Sequence, residues 1–152
     1  MNKRVITFGT FDLFHIGHVE ILRRAKELGD VLIVGVSSDE LNFSKKNIHP
    51  VYPLADRLEI VRSVRYVDGV FVEESLELKR EYLLRYKADV LVMGNDWAGK
   101  FDEFKDVCEV VYLSRTPFVS SSEIKIVCRK PDARLPERFD PYVINGDSKK
   151  PS

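Results

Sequence analysis

Short apolar runs alternate along the chain with segments whose apolar residues recur at helical spacing. The strand-like runs cover residues 4–8, 31–36, 70–72, 90–93 and 107–113. Between the first two runs, Ile21, Ala25 and Leu28 occupy positions i, i+4 and i+7, which indicates one buried helix face. Strands that alternate with helices are typical of a parallel sheet with crossover helices. The pattern predicts an α/β fold, a Rossmann-like, doubly wound, five-stranded parallel sheet with helices on both faces.

The helices of this fold are predicted from the same periodicity. One helix should begin near Ile16 and end at Gly29, because glycine adopts the left-handed conformation that closes many helices. Another should begin at about Leu54. Residues 37–53 are polar, contain two prolines and are too many for a simple connection, so we expect a functional loop there. A further helix is predicted from three apolar positions that share one face: Leu76, Leu83 and Tyr86.

The last part of the chain differs from the rest in its proline content. Four of the seven prolines fall there: Pro131, Pro136, Pro141 and Pro151. Proline lacks a backbone N–H and disrupts helices and strands. We therefore predict one domain over residues 1–128 and an extended or partly disordered tail over residues 129–152.

The amino-acid composition argues against several classes of protein. The 24 Lys and Arg residues balance 24 Asp and Glu residues, which argues against a protein that coats nucleic acid or an anionic membrane. No apolar run approaches the ~20 residues that cross a bilayer, so a soluble protein is expected. Cys108 and Cys128 lie in no metal-binding or redox motif. Two isolated thiols and no visible export signal predict a cytoplasmic location.

Two histidines follow the first predicted strand, where open α/β sheets bind ligands. His15 and His18 are three residues apart at the predicted start of a helix, whose backbone N–H groups already favour an anion. One interpretation is therefore a phosphate site. The alternative is a pair of capping or surface histidines, and a zinc site has less support because a third protein ligand is missing.

A second candidate segment follows the fourth strand, at residues 94–101. It nearly matches the P-loop pattern, but Phe101 replaces the hydroxyl residue that holds magnesium, so we reject a P-loop enzyme. Asp96 and the flat face of Trp97 are suited to frame a nucleotide base. The alternative is that Trp97 and Phe101 attach the loop to the core.

A third candidate segment follows the fifth strand. Ser120 and Glu123 have the spacing of a capping box, which predicts a helix start. Capping does not explain Ser121 and Ser122 as well. A hydroxyl-rich helix start near Arg115 is therefore also predicted to hold the far phosphates of a triphosphate.

These segments together resemble the HxGH nucleotidyltransferase superfamily, and most closely its bacterial glycerol-3-phosphate cytidylyltransferases. The resemblance covers residues 5–125 and rests on GTFDLFHIGH at 9–18, RYVD at 65–68, MGNDWAGKFD at 93–102, CEVVYL at 108–113, and RT with SSSEIK at 115–125. The chain departs from the family pattern R-T-E-G-I-S-T-T in having Pro117-Phe118 and a serine run. It also keeps only part of the family's basic cluster, as Lys45-Lys46-Asn47.

The resemblance implies transfer of CMP from CTP to a small phosphorylated alcohol, with glycerol-3-phosphate as the first candidate. The implied catalytic residues are His15, His18, Lys45 and Arg115. The implied nucleotide-binding residues are Gly9, Thr10, Phe11, Asp12, Gly17, Gly94, Asp96, Trp97, Arg115, Thr116, Ser120, Ser121 and Ser122. Mg²⁺ is expected to be held by the nucleotide phosphates, with no protein ligand.

Two other functions stay open at this point. One is an adenylyltransferase of the same superfamily that uses ATP, and the other is a nucleotide-binding module without turnover. The family resemblance also implies a homodimer, with residues 65–68 near the subunit contact. Neither nucleic acid nor a membrane is expected as a partner.

Overall fold

The computed structural model describes residues 2–117 and 119–136. Its strands are β1 (Arg4–Gly9), β2 (Val31–Ser37), β3 (Gly69–Glu73), β4 (Val90–Gly94) and β5 (Glu109–Leu113). Its α-helices are α1 (Ile16–Lys26), α2 (Asp39–Lys46), α3 (Leu54–Arg62), α4 (Lys79–Arg85) and α5 (Ser121–Val127). Short 3₁₀ turns cover Leu76–Leu78, Asn95–Trp97 and Asp102–Asp106.

The five strands form one parallel sheet in the order β3-β2-β1-β4-β5. The central strand β1 therefore pairs with β2 on one side and with β4 on the other. The strand order reverses between β1 and β4, which opens a crevice beyond the carboxyl ends of these strands. The predicted α/β architecture is confirmed, and this crevice is where a ligand is expected.

Alternate residues of each central strand enter two separate cores. In β1, Ile6 and Phe8 pack with residues of α4 on one face, whereas Val5 packs with α1 and α3 on the other. In β4, Leu91 and Val90 divide between the faces in the same way. Since side chains of a strand point alternately to either face, a sheet covered by helices on both sides needs these continuous apolar runs.

The prediction of a loop over residues 37–53 was wrong, because α2 occupies its first half. The Ser38 hydroxyl accepts a hydrogen bond from the backbone N–H of Leu41 at 3.1 Å and caps the start of the helix. Asp39 and Glu40 in the first turn, with lysines in the last turn, complement the helix dipole. Asn47, in the left-handed region at φ 56°, ends α2.

Other element boundaries also differ from those expected. The first helix ends at Lys26 rather than Gly29, and its fully buried residues are Leu22 and Ala25. Leu76 lies in a 3₁₀ turn and is 42% exposed, so it does not share the buried face of Leu83. The fifth strand begins at Glu109, two residues later than predicted.

Beyond α5, the described residues 128–136 form turns and irregular backbone, without a helix or strand. Residues 137–152 of the predicted tail lie outside the described part of the chain, so the two-part organisation stays a prediction. Among residues 2–117 and 119–136, no helix has the length and apolar character that crossing a membrane requires.

A buried ion pair lies at the carboxyl end of the sheet, on the β3 side. The Lys79 ammonium is 2.7 Å from a carboxylate oxygen of Glu73, and both side chains are 2% exposed. The ammonium also lies 3.6 Å from the centre of the Phe8 ring. The single proton of the Ser37 hydroxyl is shared between the other oxygen of Glu73, at 3.2 Å, and the carbonyl of Gly9, at 3.3 Å. This pair therefore connects β3 with the end of β1.

We predict that Lys79→Met destabilises the fold by about 3–5 kcal/mol, because it leaves a buried carboxylate without its partner. Urea unfolding measures the change. The matched control is Arg80→Met, which removes the next residue's exposed ion pair with Asp106. A much smaller loss is expected there. Equal losses in the two variants would contradict the assignment of a stabilising role to the buried pair.

Candidate active site

A cavity of about 410 Å³ opens at the carboxyl ends of β1, β4 and β5. It brings together segments that are far apart in the sequence, and most of the predicted site residues line it. Those residues are Gly9, Thr10, Phe11, Asp12, His15, Gly17, His18, Gly94, Asp96, Arg115, Thr116, Ser120, Ser121 and Ser122. The imidazole pair and the Arg115 serine turn therefore face one common space.

Two of the predicted residues do not line this cavity. Lys45 is half-buried on the side of Glu73, and its neighbour Lys46 lines the cavity instead. Burial lowers the pKa of Lys45, although the charge of Glu73 opposes this effect. Trp97 packs against Phe101 with ring centres 5.5 Å apart. This packing corresponds to the alternative in which the aromatic pair attaches the loop to the core.

The imidazoles of His15 and His18 cap the start of α1. His15 is the N-cap residue, and its Nδ1 accepts a hydrogen bond from the backbone N–H of Gly17 at 3.0 Å. The Nδ1 of His18 accepts one from the backbone N–H of His15 at 3.1 Å. The two rings stack with their centres 3.8 Å apart. The capping alternative is thus correct as a structural role, and it places both rings at the cavity.

Capping also determines which ring nitrogen carries the proton. Because Nδ1 of each ring accepts a hydrogen bond, the proton of the neutral ring lies on Nε2, which becomes a donor. Burial, together with the charges of His15 and Arg115, lowers the pKa of His18 from 6.5 to about 3. His18 is therefore neutral at physiological pH and presents Nε2–H as a hydrogen-bond donor.

The turn between β1 and α1 has the backbone conformation that this arrangement needs. Phe11 and Leu13 both lie in the left-handed region, at φ 54° and 46°, which costs side-chain-bearing residues free energy. A Cβ atom at Gly17 would lie 2.9 Å from the His15 ring, so a larger residue there would displace the imidazole. The glycine of the motif thus permits the stacking of the two rings.

A buried arginine that sequence reasoning missed supports the floor of the site. Arg57 is fully buried on α3, and its guanidinium donates to the carbonyls of Thr10 and Ser37 at 2.8 Å. It also donates to the carbonyl of Tyr52 and to the carboxylate of Asp39. One side chain therefore connects four segments: the ends of β1 and β2, the start of α2 and the chain before α3. Arg57 is one of several charged residues in the sequence of α3, so no sequence pattern indicated this role.

Asp12 connects the segment before α3 to the turn after β1 through hydrogen bonds. Its two carboxylate oxygens accept hydrogen bonds from the backbone N–H groups of Val51 and Tyr52 at 2.7 and 2.9 Å. The hydroxyl of Ser121 donates to the Asp12 carbonyl at 2.7 Å, which attaches α5 to the same turn. Asp12 therefore shapes the site through its neighbours.

The opposite wall comes from the ends of β4 and β5. The Arg115 guanidinium lies 3.8 Å from the Asp96 carboxylate, and both side chains are more than half exposed. The Ser120 hydroxyl accepts a hydrogen bond from the Glu123 backbone N–H and caps α5, as the capping-box spacing predicts. Lys125, which sequence reasoning did not single out, also lines the cavity.

The donor set of the cavity bears on how Mg²⁺ would be held. Among the described residues that line it, the carboxylates are Asp12 and Asp96. Both oxygens of Asp12 already accept backbone hydrogen bonds, and Asp96 is paired with Arg115. The part of the chain that the structure describes contains no cluster of three metal-ligating side chains. This donor set fits an ion that is carried by phosphate oxygens, as Mg²⁺ commonly is.

The fold agrees with the comparisons with known proteins. Residues 6–127 match the family model described as cytidylyltransferase-like, and the chain belongs to this family. It is 49% identical over 123 residues to the glycerol-3-phosphate cytidylyltransferase of Bacillus subtilis (strain 168), covering 81% of this chain and 95% of that one. Identity to the enzyme of the same name from Staphylococcus aureus is also 49%, covering 81% and 92% of the two chains.

Other matches are less similar to this chain in sequence. An FAD synthase of Pyrococcus abyssi is 44% identical over 93 residues, covering 61% of this chain and 63% of that one. Among solved structures, a lipopolysaccharide core biosynthesis protein from Thermoplasma volcanium has a TM-score of 0.67 at 24% identity, covering 76% of this chain and 99% of that one. This structural likeness supports the fold alone.

The lowered pKa of His18 predicts how stability depends on pH. Between pH 3, near the pKa of His18 in the folded chain, and pH 6.5, the ordinary pKa of histidine, the unfolded chain binds a proton that the folded chain does not. The contribution of His18 is therefore complete above pH 6.5 and is lost as the pH falls below it. We therefore expect His18 to lower the free energy of unfolding by about 2 kcal/mol at pH 5 relative to pH 8.

Urea unfolding of the wild type and of His18→Asn at both pH values measures this contribution. Asparagine keeps an acceptor for the backbone N–H of His15 but does not titrate. The decrease in the free energy of unfolding between pH 8 and pH 5 should be smaller in the variant by the contribution of His18. The same loss in both proteins would show that His18 titrates normally in the folded chain.

Proposed function

We propose that this protein transfers CMP from CTP to glycerol-3-phosphate, which gives CDP-glycerol and pyrophosphate. The observation that carries the proposal is that the imidazole pair and the Arg115 serine turn line one cavity. A triphosphate that spans this cavity contacts both groups at once. The similarity to glycerol-3-phosphate cytidylyltransferases, at 49% identity over most of the chain, supports this choice of nucleotide and acceptor.

The reaction needs no covalent intermediate with the protein. A lone pair on a phosphate oxygen of glycerol-3-phosphate forms the new bond to the α-phosphorus of CTP. The bond from the α-phosphorus to the bridging oxygen breaks, and its electron pair leaves on pyrophosphate. The acceptor phosphate is already an oxygen nucleophile, so the protein contributes positioning and charge stabilisation.

The two histidines act as hydrogen-bond donors in this step. With Nδ1 of each ring engaged by a backbone N–H, the Nε2–H groups are the parts that serve the α-phosphate. Negative charge increases on its oxygens in the transition state, and fixed donors in a partly buried site stabilise that charge. His15 and His18 therefore stabilise the transition state without acting as nucleophiles.

The remaining walls take the other parts of the nucleotide. Arg115 leaves its exposed partner Asp96 to neutralise the leaving pyrophosphate, and the serine hydroxyls with Thr116 donate to the same phosphates. Gly94 and Asp96, at the end of β4, contact the cytosine base. They lie next to the loop that Trp97 and Phe101 attach to the core. Mg²⁺ bound to the triphosphate reduces the negative charge that the acceptor phosphate approaches.

The role of Lys45 is that of a cation at the edge of the site. Lys45 is half-buried near Glu73, whereas Lys46 lines the cavity directly. Lys46 is thus the better candidate for contact with a phosphate, and Lys45 contributes charge to that side.

A homodimer and a cytoplasmic location stay predictions that gel filtration and cell fractionation test.

An adenylyltransferase that uses ATP is the second candidate, because FAD synthases are among the relatives. They are less similar in sequence to this chain than the cytidylyltransferases are. Pyrophosphate release from the four nucleotides with glycerol-, ribitol-, choline- and ethanolamine-type phosphates distinguishes the candidates. We expect release with CTP and glycerol-3-phosphate. Preference for ATP, or CTP binding without release from any acceptor, would contradict the proposal.

The variant His15→Asn separates the two roles of this residue. Asparagine is a favoured N-cap residue, so α1 should remain capped and the protein folded. Asparagine does not replace the Nε2–H donor, so kcat should fall by about 10² or more. Steady-state kinetics and circular dichroism measure the two effects. Near-normal turnover would exclude the proposed donor role of His15.

A further inference from the structure

The cavity has one wall that the proposed nucleotide contacts do not use. It is formed by the end of α2 and the segment that follows, through Lys46, Ile48, His49 and Pro50. His49 is the third histidine of the chain, and the sequence motifs do not include it. This wall follows β2, whereas Arg115 and the serine turn follow β5 on the other side of β1.

The direction of attack gives this wall a role. In an in-line displacement, the entering oxygen approaches opposite the leaving one. The leaving pyrophosphate is assigned to the β5 side, and the imidazole pair at the start of α1 lies between the two sides. The acceptor must therefore enter from the β2 side, along the wall that contains Lys46 and His49.

The wall is fixed in place rather than loosely attached. The left-handed Asn47 ends α2, and four residues later the backbone N–H of Val51 bonds Asp12. The carbonyl of Tyr52 accepts a hydrogen bond from the buried Arg57. The His49 ring stacks on Phe43 with ring centres 4.5 Å apart and planes inclined by 18°. This stacking orients an otherwise exposed imidazole.

The chemistry of the wall suits an anion. The carboxylates among the described cavity-lining residues are Asp12, which is engaged by backbone N–H groups, and Asp96 on the opposite wall. Lys46 supplies a cation, and an imidazole supplies an N–H donor in either protonation state. Together they suit the phosphate of a small phosphomonoester, held by charge-assisted hydrogen bonds.

We propose that His49, oriented by Phe43 and assisted by Lys46, binds the phosphate of the acceptor and determines its affinity. This proposal rests on the proposed function and adds to it the place where the acceptor enters. His49 contacts the substrate, and Phe43 is a positioning residue that acts through the His49 ring. The nucleotide lies on the other side of the imidazole pair, so loss of His49 affects the acceptor selectively.

Steady-state kinetics with CTP and glycerol-3-phosphate varied separately test this proposal. His49→Ala should raise the KM for glycerol-3-phosphate about tenfold or more, since a charged hydrogen bond is lost, and leave the KM for CTP within about twofold. His49→Gln, which keeps an N–H donor, should recover part of the affinity. Phe43→Ala should raise the same KM by a smaller factor, because the donor remains but loses its orientation.

The matched control is Val51→Ala, which shortens an exposed side chain in the same segment and keeps its backbone N–H. Its KM values should equal those of the wild type. An unchanged acceptor KM in His49→Ala, or an equal rise in both KM values, would overturn the assignment of His49. A wild type that makes no CDP-glycerol would instead contradict the proposed function, so the two failures are distinguishable.

Discussion

Two hydrogen bonds that imidazole rings accept from the backbone determine the chemistry of this site. The Nδ1 atoms of His15 and His18 accept hydrogen bonds from the backbone N–H groups of Gly17 and His15 at the start of α1, so the same two rings cap the helix and present Nε2–H donors. The lone pair that would make either ring a nucleophile or a general base is thereby occupied. Burial and the neighbouring charges keep His18 neutral, which agrees with the hydrogen-bond donation that we propose for that ring.

The imidazole donors are effective only if the surrounding segments have fixed positions, and buried polar side chains fix them. Arg57 fixes the carbonyls at the ends of β1 and β2, and Asp12 fixes the segment before α3 through two backbone N–H groups. Ser121 attaches α5 to the same turn. Parallel strands bring these distant segments to one edge of the sheet, and the polar contacts then fix their positions relative to each other. The site is therefore preorganised before any substrate binds.

The sheet and most of the cavity could be predicted from the sequence, because apolar runs and the segments after them follow local rules. The α2 helix was missed although Ser38, the acidic residues after it and Asn47 are helix-boundary signals, since prolines and polar residues suggested a loop. The role of Lys45 stays a proposal, while its neighbour Lys46 lines the cavity. Successive helical residues differ by about 100° in direction, so only the helix shows that Lys46 is the one facing the cavity. The role of Arg57 depends on contacts with distant segments, which no local pattern contains.

In the proposed mechanism, the imidazoles donate hydrogen bonds to the α-phosphate of CTP while the acceptor displaces pyrophosphate from it directly. The stereochemical course at the α-phosphorus tests it, with CTP in which sulfur replaces one non-bridging α-phosphate oxygen in a single configuration. A single in-line displacement inverts that configuration, and inversion in the CDP-glycerol product is the result we predict. Retention would mean two displacements through a covalent intermediate on the protein, and it would contradict the assignment of His15 and His18 as donors.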